Sequence, residues 1–99
     1  MDKEKIDNVK EPHVSKMTEP DFSMFVSSLS MQVLIFLGEI DNPITHKKEE
    51  NLAQAKYIID TLAMFKEKTK GNLTGSEANV LDNILYELRM KYTAKSGKL

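Results

Sequence analysis

Residues with the chemistry for catalysis or metal binding are few in this sequence. The chain has no cysteine, which excludes disulfide bonds, zinc–thiolate sites and thiol nucleophiles. Of its two histidines, His13 lies in a polar segment where we expect it to be solvated, and His46 follows the acidic residues Glu39 and Asp41. No second histidine stands at helical spacing from His46, and carboxylates in loops are usually solvated. We therefore predict no catalytic residue, no metal and no cofactor.

A cluster of lysines is the feature that most invites a ligand. The segment 66–74, KEKTKGNLT, places Lys68 and Lys70 just before a glycine turn and the start of a helix, whose free amide groups attract anions. With Arg89, these lysines form a candidate site for an anionic group. The segment lacks the GxxxxGK[ST] spacing of a phosphate loop, however, and Glu77 competes for the same amide groups. Helix capping is therefore the leading interpretation of this segment, and anion binding is the alternative.

The composition limits the chain to one small domain. It has 99 residues, of which 40% are hydrophobic and 29% are charged. A domain of this size leaves much apolar surface uncovered as a monomer, so association of subunits would bury more of it. The net charge of −1 and the pI of about 6.1 lack the basic footprint of a general nucleic-acid binder, so we predict no nucleic-acid partner. With no targeting segment recognised, we expect a cytoplasmic location.

The element around which the chain is organised is the segment 21–38, DFSMFVSSLSMQVLIFLG, which has no internal charge. It predicts an α-helix with Asp21 as N-cap and Gly38 near its C-terminal end. At about 100° per residue, one arc of about 120° is apolar and predicts a core-facing stripe: Phe22, Phe25, Val26, Leu29, Val33, Phe36 and Leu37. The opposite side carries apolar or small residues instead of charges: Met24, Ser27, Ser28, Met31, Leu34, Ile35 and Gly38.

This second uncharged side predicts that the first helix has a further partner. Small residues allow helix backbones to approach closely, and methionine fills irregular gaps. We therefore predict self-association through the residues Met24, Ser28, Met31, Leu34 and Ile35. A central helix buried within one chain is the alternative, but two short helices could hardly cover it. We predict no membrane span, because the 17 uncharged residues include four serines and reach only about 25 Å across a hydrocarbon core of about 30 Å.

Two further helices complete the prediction of an all-α, three-helix unit, at about 21–38, 49–70 and 75–92. Their core faces are predicted by apolar residues at helical spacing. These are Leu52, Ala55, Ile58, Ile59, Leu62 and Phe65 in the second helix, and Ala78, Leu81, Ile84, Leu85, Leu88 and Tyr92 in the third. Glu49 and Glu50 at the start of the second helix, with lysines at its end, would complement the helix dipole.

The boundaries of this helical domain, 21–92, follow from capping and composition. Gly71 closes the second helix, and the sequence TGSE at 74–77 predicts a capping box for the third. The polar, proline-containing segment 1–20 predicts a disordered arm. The basic segment 93–99 predicts a flexible tail.

Residues 21–92 resemble a bacterial family catalogued as domain-of-unknown-function family 1844. The most family-like segments are KTKGNLT at 68–74 and YELRM at 86–90. Further positions that carry the resemblance are Asp21, Phe22, Phe25, Leu37, Gly38, Glu39, Ile40, Pro43, Asn51, Leu52, Ala55, Ile59, Asp60, Leu62 and Met64. His46 stands where we expect a small turn residue such as glycine, and residues 31–33 are bulkier than the family's small residues. The resemblance implies a small, mainly helical cytoplasmic protein, and it supplies no catalytic residue.

Two functional hypotheses follow. The first is a non-enzymatic interaction or scaffold module that forms homo-oligomers through its first helix, with an unknown protein partner as a further candidate. The second is a small anionic-ligand binder or modest enzyme that uses Lys68, Lys70 and Arg89. Concentration-dependent stability would favour the first hypothesis, because association and folding are linked. A pocket that brings the three cations together would favour the second.

Overall fold

The chain folds into a unit of three packed helices. In the computed structural model, which describes residues 19–97, these helices are α1 (Phe22–Phe36), α2 (Leu52–Lys68) and α3 (Gly75–Ser96). Each helix contacts the other two, and no strand occurs among the described residues. The all-α, three-helix prediction is therefore confirmed. The predicted disordered arm, apart from its last two residues, lies outside the described residues.

Both ends of α1 are fixed by local hydrogen bonds. The side chain of Asp21 accepts a hydrogen bond from the backbone amide three residues on, at 2.9 Å, and so caps the first turn. At the other end, Gly38 has a φ of +77°, and its amide donates to the carbonyl of Ile35 at 3.0 Å. The amide of Glu39 donates to the carbonyl of Leu34 at 2.9 Å. These two bonds form a Schellman motif, which requires the left-handed conformation that Gly38 adopts.

Asn42 organises the connection between α1 and α2. Its side-chain oxygen accepts a hydrogen bond from the amide of Ile44 at 2.8 Å, and its side-chain amide donates to Glu49 at 3.2 Å. Its backbone carbonyl accepts from the amide of His46 at 2.7 Å. His46 has a φ of +60°. This left-handed conformation is unfavourable for any residue that has a Cβ atom. The position where the resemblance led us to expect glycine is therefore a left-handed turn position.

Helix α2 begins at Leu52, three residues later than predicted, because the side chain of Asn51 caps it by accepting a hydrogen bond at 3.1 Å. Glu49 and Glu50 therefore lie in the connection and do not complement the dipole of α2 in its first turn, as the charge pattern had suggested. Glu50 instead forms an ion pair with Lys95 of α3 at 3.4 Å. At the far end, Gly71 with a φ of +85° turns the chain towards α3.

Helix α3 begins as predicted and ends later than predicted. The hydroxyl of Thr74 accepts a hydrogen bond from the amide of Glu77 at 3.1 Å, and the Glu77 carboxylate accepts one from the Thr74 amide at 2.9 Å, so the predicted capping box is confirmed. The helix continues to Ser96, where Gly97 closes it in a left-handed conformation. Residues 93–96 of the predicted flexible tail are therefore helical.

The hydrophobic core lies where the three helices meet. Its buried side chains are Val26, Val33, Leu37, Ala55, Ile58, Ile59, Leu62, Leu81, Leu85, Leu88 and Tyr92. Every one of them belongs to a predicted core stripe, because helical spacing alone determines which residues share a side of a helix. Most of the remaining stripe residues pack against this cluster while partly buried, and Phe25 is an exception that bears on the candidate site.

Candidate interaction surface

The outer side of α1 is uncharged, largely apolar and exposed to solvent. The buried residues of this helix, Val26 and Val33, point into the core, so the opposite side faces away from α2 and α3. On that side Met24 is 61% exposed and Met31 is 53% exposed, and Ser28 lies exposed between them. No charged residue occurs within the helix. We call this surface the α1 outer face, and it comprises Met24, Phe25, Ser28, Met31 and Ile35.

The structure places the five residues predicted for self-association unequally. Met24, Ser28 and Met31 are exposed, and Ile35 is partly buried near the end of the helix. Leu34 is partly buried and packs against the core cluster. It stands only about 60° around the helix from the buried Leu37, so the monomer already uses part of its surface.

Phe25 adds to the α1 outer face. It was predicted to lie in the core, and this prediction is wrong because its side chain is 50% exposed. Its ring lies 5.6 Å from that of Phe65 in α2, centroid to centroid, with the planes tilted by 55°. Such tilted arrangements are favoured between aromatic rings. Phe25 stands at the edge of the apolar arc, and periodicity alone does not tell an edge that faces the core from one that faces solvent.

Ser28 presents no unsatisfied polar group to a partner. Its hydroxyl donates a hydrogen bond to the backbone carbonyl of Met24 at 3.0 Å, within the same helix. Covering a hydroxyl that lacked such a partner would cost about 1–3 kcal/mol. The hydroxyl donor of Ser28 would keep its partner if another molecule covered the α1 outer face.

The three cations predicted to bind an anion do not line one pocket. Arg89 lines a shallow groove of about 570 Å³ along α3, whereas Lys70 lines a separate depression of about 160 Å³ at the α2–α3 turn. Lys68 lines neither of them. It lies roughly opposite Lys66 on the helix, and Lys66 is the residue that reaches across to α3. Lys68 therefore points away from Arg89.

The groove that contains Arg89 combines apolar walls with one uncompensated positive charge. Lys66 forms an ion pair with Asp82 at 2.9 Å, so these two charges neutralise each other. Arg89 has no hydrogen bond or ion pair within residues 19–97. Tyr86 and Met90, both largely exposed, stand beside it. Arginine, tyrosine and methionine are enriched in protein interfaces.

The outer side of α2 is charged, in contrast to that of α1. The Asp60 carboxylate accepts a hydrogen bond from Lys56 at 2.9 Å and thereby raises the pKa of Lys56. Because both side chains are exposed, this pair contributes little to stability. Tyr57 and Met64 are exposed on this side, and scattered apolar residues among charges are normal for a solvated surface.

The acidic residues near His46 do not gather around it. Across residues 19–97, no group of three or more histidine and carboxylate side chains is close enough to hold a metal ion. Nor is any helix in this part of the chain both long and apolar enough to cross a membrane.

The fold and the α1 outer face define a small three-helix protein with one uncharged helix surface exposed. The family described as "Domain of unknown function (DUF1844)" matches residues 19–94. The chain therefore belongs to this family, as the segments 68–74 and 86–90 had indicated. Comparison with curated proteins and with solved structures gives no significant match. Family membership is thus shown, while a role has to be argued from the structure.

Proposed function

We propose that this protein is a non-enzymatic interaction or scaffold module that forms homo-oligomers through the α1 outer face. The observation that carries the proposal is the exposure of Met24, Phe25 and Met31 on a helix without charged residues. The largest contiguous apolar patch on a monomeric protein is often a functional surface. A small domain gains most from such an interaction, because it buries a smaller share of its surface by folding alone. The absence of cysteine fits our further proposal that the module acts in the cytoplasm.

The size of the α1 outer face suits a contact between two copies. About half of each of its three largest side chains is exposed, which with their neighbours gives a patch on the order of 500 Å². A symmetric contact covers the same patch on both copies, so it would bury roughly 1,000 Å² in total, near the lower bound for a specific interface. We therefore expect an oligomer that dissociates on dilution.

The charge distribution also favours a second copy as the partner. In a symmetric contact each surface meets itself, so any net charge on it would repel its counterpart. The α1 outer face carries no charge and avoids this cost. The outer side of α2 carries Lys56, Asp60 and Lys68, which stay solvated when α1 is the contact.

A pair of matched substitutions tests the proposal. Met31→Glu would place a carboxylate on both sides of the contact, so we expect the light-scattering mass to fall to about the 11.3 kDa of one chain. Met64→Glu makes the same change on the outer side of α2, where Met64 is 46% exposed, and we expect it to leave the mass of the oligomer unchanged. Circular dichroism of both variants checks that the helices remain. An unchanged mass for Met31→Glu would contradict the proposal, as would equal dissociation by Met64→Glu.

A second candidate function is the binding of an anionic ligand in the groove beside Arg89. The observation that favours it is the unpaired guanidinium in a groove of about 570 Å³. If this candidate holds, phosphate raises the unfolding temperature of the native protein and no longer does so in Arg89→Ala. Lys68→Ala serves as the control, because Lys68 points away from the groove, and it should respond like the native protein. Stabilisation that survives in Arg89→Ala would exclude this groove as the site.

A further inference from the structure

Four of the five residues of the α1 outer face, all except Phe25, have a spacing that reads the same in both directions. Met24, Ser28, Met31 and Ile35 follow one another at intervals of four, three and four residues. Alternating intervals of three and four are typical of helices that pair along their length. The midpoint of this pattern lies between Leu29 and Ser30. A helix of the same sequence running the opposite way would therefore present matching positions at all four of these residues.

We propose that the α1 helices of two copies pair antiparallel about this midpoint. The inference rests on the homo-oligomer proposed above and adds the orientation and register of its contact. Met24 then lies opposite Ile35 of the partner subunit. Ser28 lies opposite Met31 of the partner subunit, so each large side chain at the centre meets a small one. Alternation of large and small side chains across a contact lets two surfaces interlock without voids.

A parallel pair would lose this size complementarity. With both helices running the same way, each position meets its own copy, so Ser28 would face serine and Met31 would face methionine. Two small side chains leave a gap and two large ones crowd each other, and both effects weaken a packed contact. The antiparallel register avoids both, while the Ser28 hydroxyl keeps its hydrogen bond to the carbonyl of Met24.

The helix dipole favours the same orientation. The carboxylate of Asp21 caps the positive end of α1, whereas no basic residue in the last turn complements its negative end. Antiparallel pairing brings the positive end of one helix near the negative end of the other, whereas parallel pairing places like ends together. Opposite charges that meet at helix ends attract each other and so favour this pairing.

Engineered cysteines test the orientation cleanly, because the chain has none of its own. In the antiparallel register two Met24 positions lie about 16 Å apart along the helix axis, since eleven residues at about 1.5 Å each separate Met24 from Ile35. A disulfide needs Cα atoms within about 7 Å. We therefore expect Met24→Cys alone and Ile35→Cys alone to give only background disulfide dimer on oxidation. A mixture of the two variants, allowed to exchange subunits, should give the mixed disulfide dimer.

Each result of this experiment is decisive. Efficient dimerisation of Met24→Cys by itself would show parallel pairing and overturn the register, while the homo-oligomer itself would stand. An oligomer by light scattering with no disulfide product in any sample would also overturn the register. A mass of one chain for the unmodified protein would overturn the homo-oligomer and the register together. If Ile35→Cys fails to fold, Met24→Cys can carry a nitroxide spin label instead, and electron double resonance then measures the distance between the two labels of one dimer. Antiparallel pairing predicts a distance of about 16 Å or more, whereas parallel pairing brings the two labels into contact.

Discussion

Gly38 is a residue at which two constraints coincide. Its φ of +77° lies in the region where a Cβ atom is strained, and a Cβ atom built there would lie 3.1 Å from Cγ of Glu50. The positive φ constrains the backbone of Gly38. The short distance to Glu50 arises because the α1–α2 connection passes over the C-terminal end of α1. Both act on the junction that holds α1 against the start of α2, where the amide of Asn51 donates to the carbonyl of Phe36 at 2.8 Å.

We predict that Gly38→Ala lowers the free energy of unfolding by about 1–2 kcal/mol, because alanine is strained at this φ and the Glu50 side chain has to move. Urea unfolding at one fixed protein concentration measures the effect. Gly75→Ala is the matched control, since Gly75 opens α3 with ordinary φ and open space, and we expect it to be neutral or to stabilise by up to about 1 kcal/mol. Equal unfolding midpoints for the two variants would contradict the prediction.

At the scale of elements, the α1–α2 connection is held by hydrogen bonds of its own. The amide of Asn42 donates to the carbonyl of Lys47 at 2.9 Å, and the hydroxyl of Thr45 donates to Glu49 at 3.2 Å. Within this ordered connection, His46 is exposed and left-handed, and its side chain has no partner among the described residues. The strain at His46 is therefore not offset by any side-chain contact in this part of the chain.

We predict that His46→Gly stabilises the protein by roughly 0.5–1 kcal/mol, because glycine adopts a left-handed φ without the cost that histidine bears. The greater freedom of glycine in the unfolded chain keeps the gain below the full strain energy. Thermal unfolding measures the shift. Lys48→Gly, which adds the same freedom at an exposed position without a left-handed φ, should destabilise slightly. A lower midpoint for His46→Gly than for Lys48→Gly would show that His46 is not strained.

The sequence predicted the features of the helices that depend on residues close together in the chain, namely their buried sides and their caps. Helical spacing identified the buried residues. Local capping chemistry identified Asp21, Gly38 and the Thr74–Glu77 box, because each cap involves residues within five positions of one another. The ion pair between Glu50 and Lys95 was not predictable in this way, since 45 positions separate the two residues. It depends on how the helices are rotated against each other, which no local pattern records.

The candidate site was predicted only in part, because local sequence patterns do not record how the helices pack against one another. The absence of charge between Asp21 and Glu39 indicated a second uncharged side of α1, and the structure shows this side exposed. Spacing could not show that Leu34 packs against the monomer's own core while Phe25 stays half exposed. Both residues stand beside the buried stripe, and the packing of the three helices against one another decides which of them is covered.

At the scale of the whole molecule, three helices cover one another on their inner sides and differ on their outer sides. The outer side of α2 is charged, and α3 carries the groove with Arg89. The outer side of α1 carries no charged residue, and no other part of residues 19–97 packs over it. This asymmetry is the physical basis for our proposal that the protein acts by associating through α1, with the charged sides left in solvent.

The mass of the purified protein, measured by light scattering over a wide concentration range without detergent, tests this view most directly. We predict a multiple of 11.3 kDa at high concentration that falls towards one chain on dilution, because the α1 outer face gives a contact of modest area. A mass of 11.3 kDa at every concentration would contradict the central claim. In that case the α1 outer face would have to be reserved for a different protein.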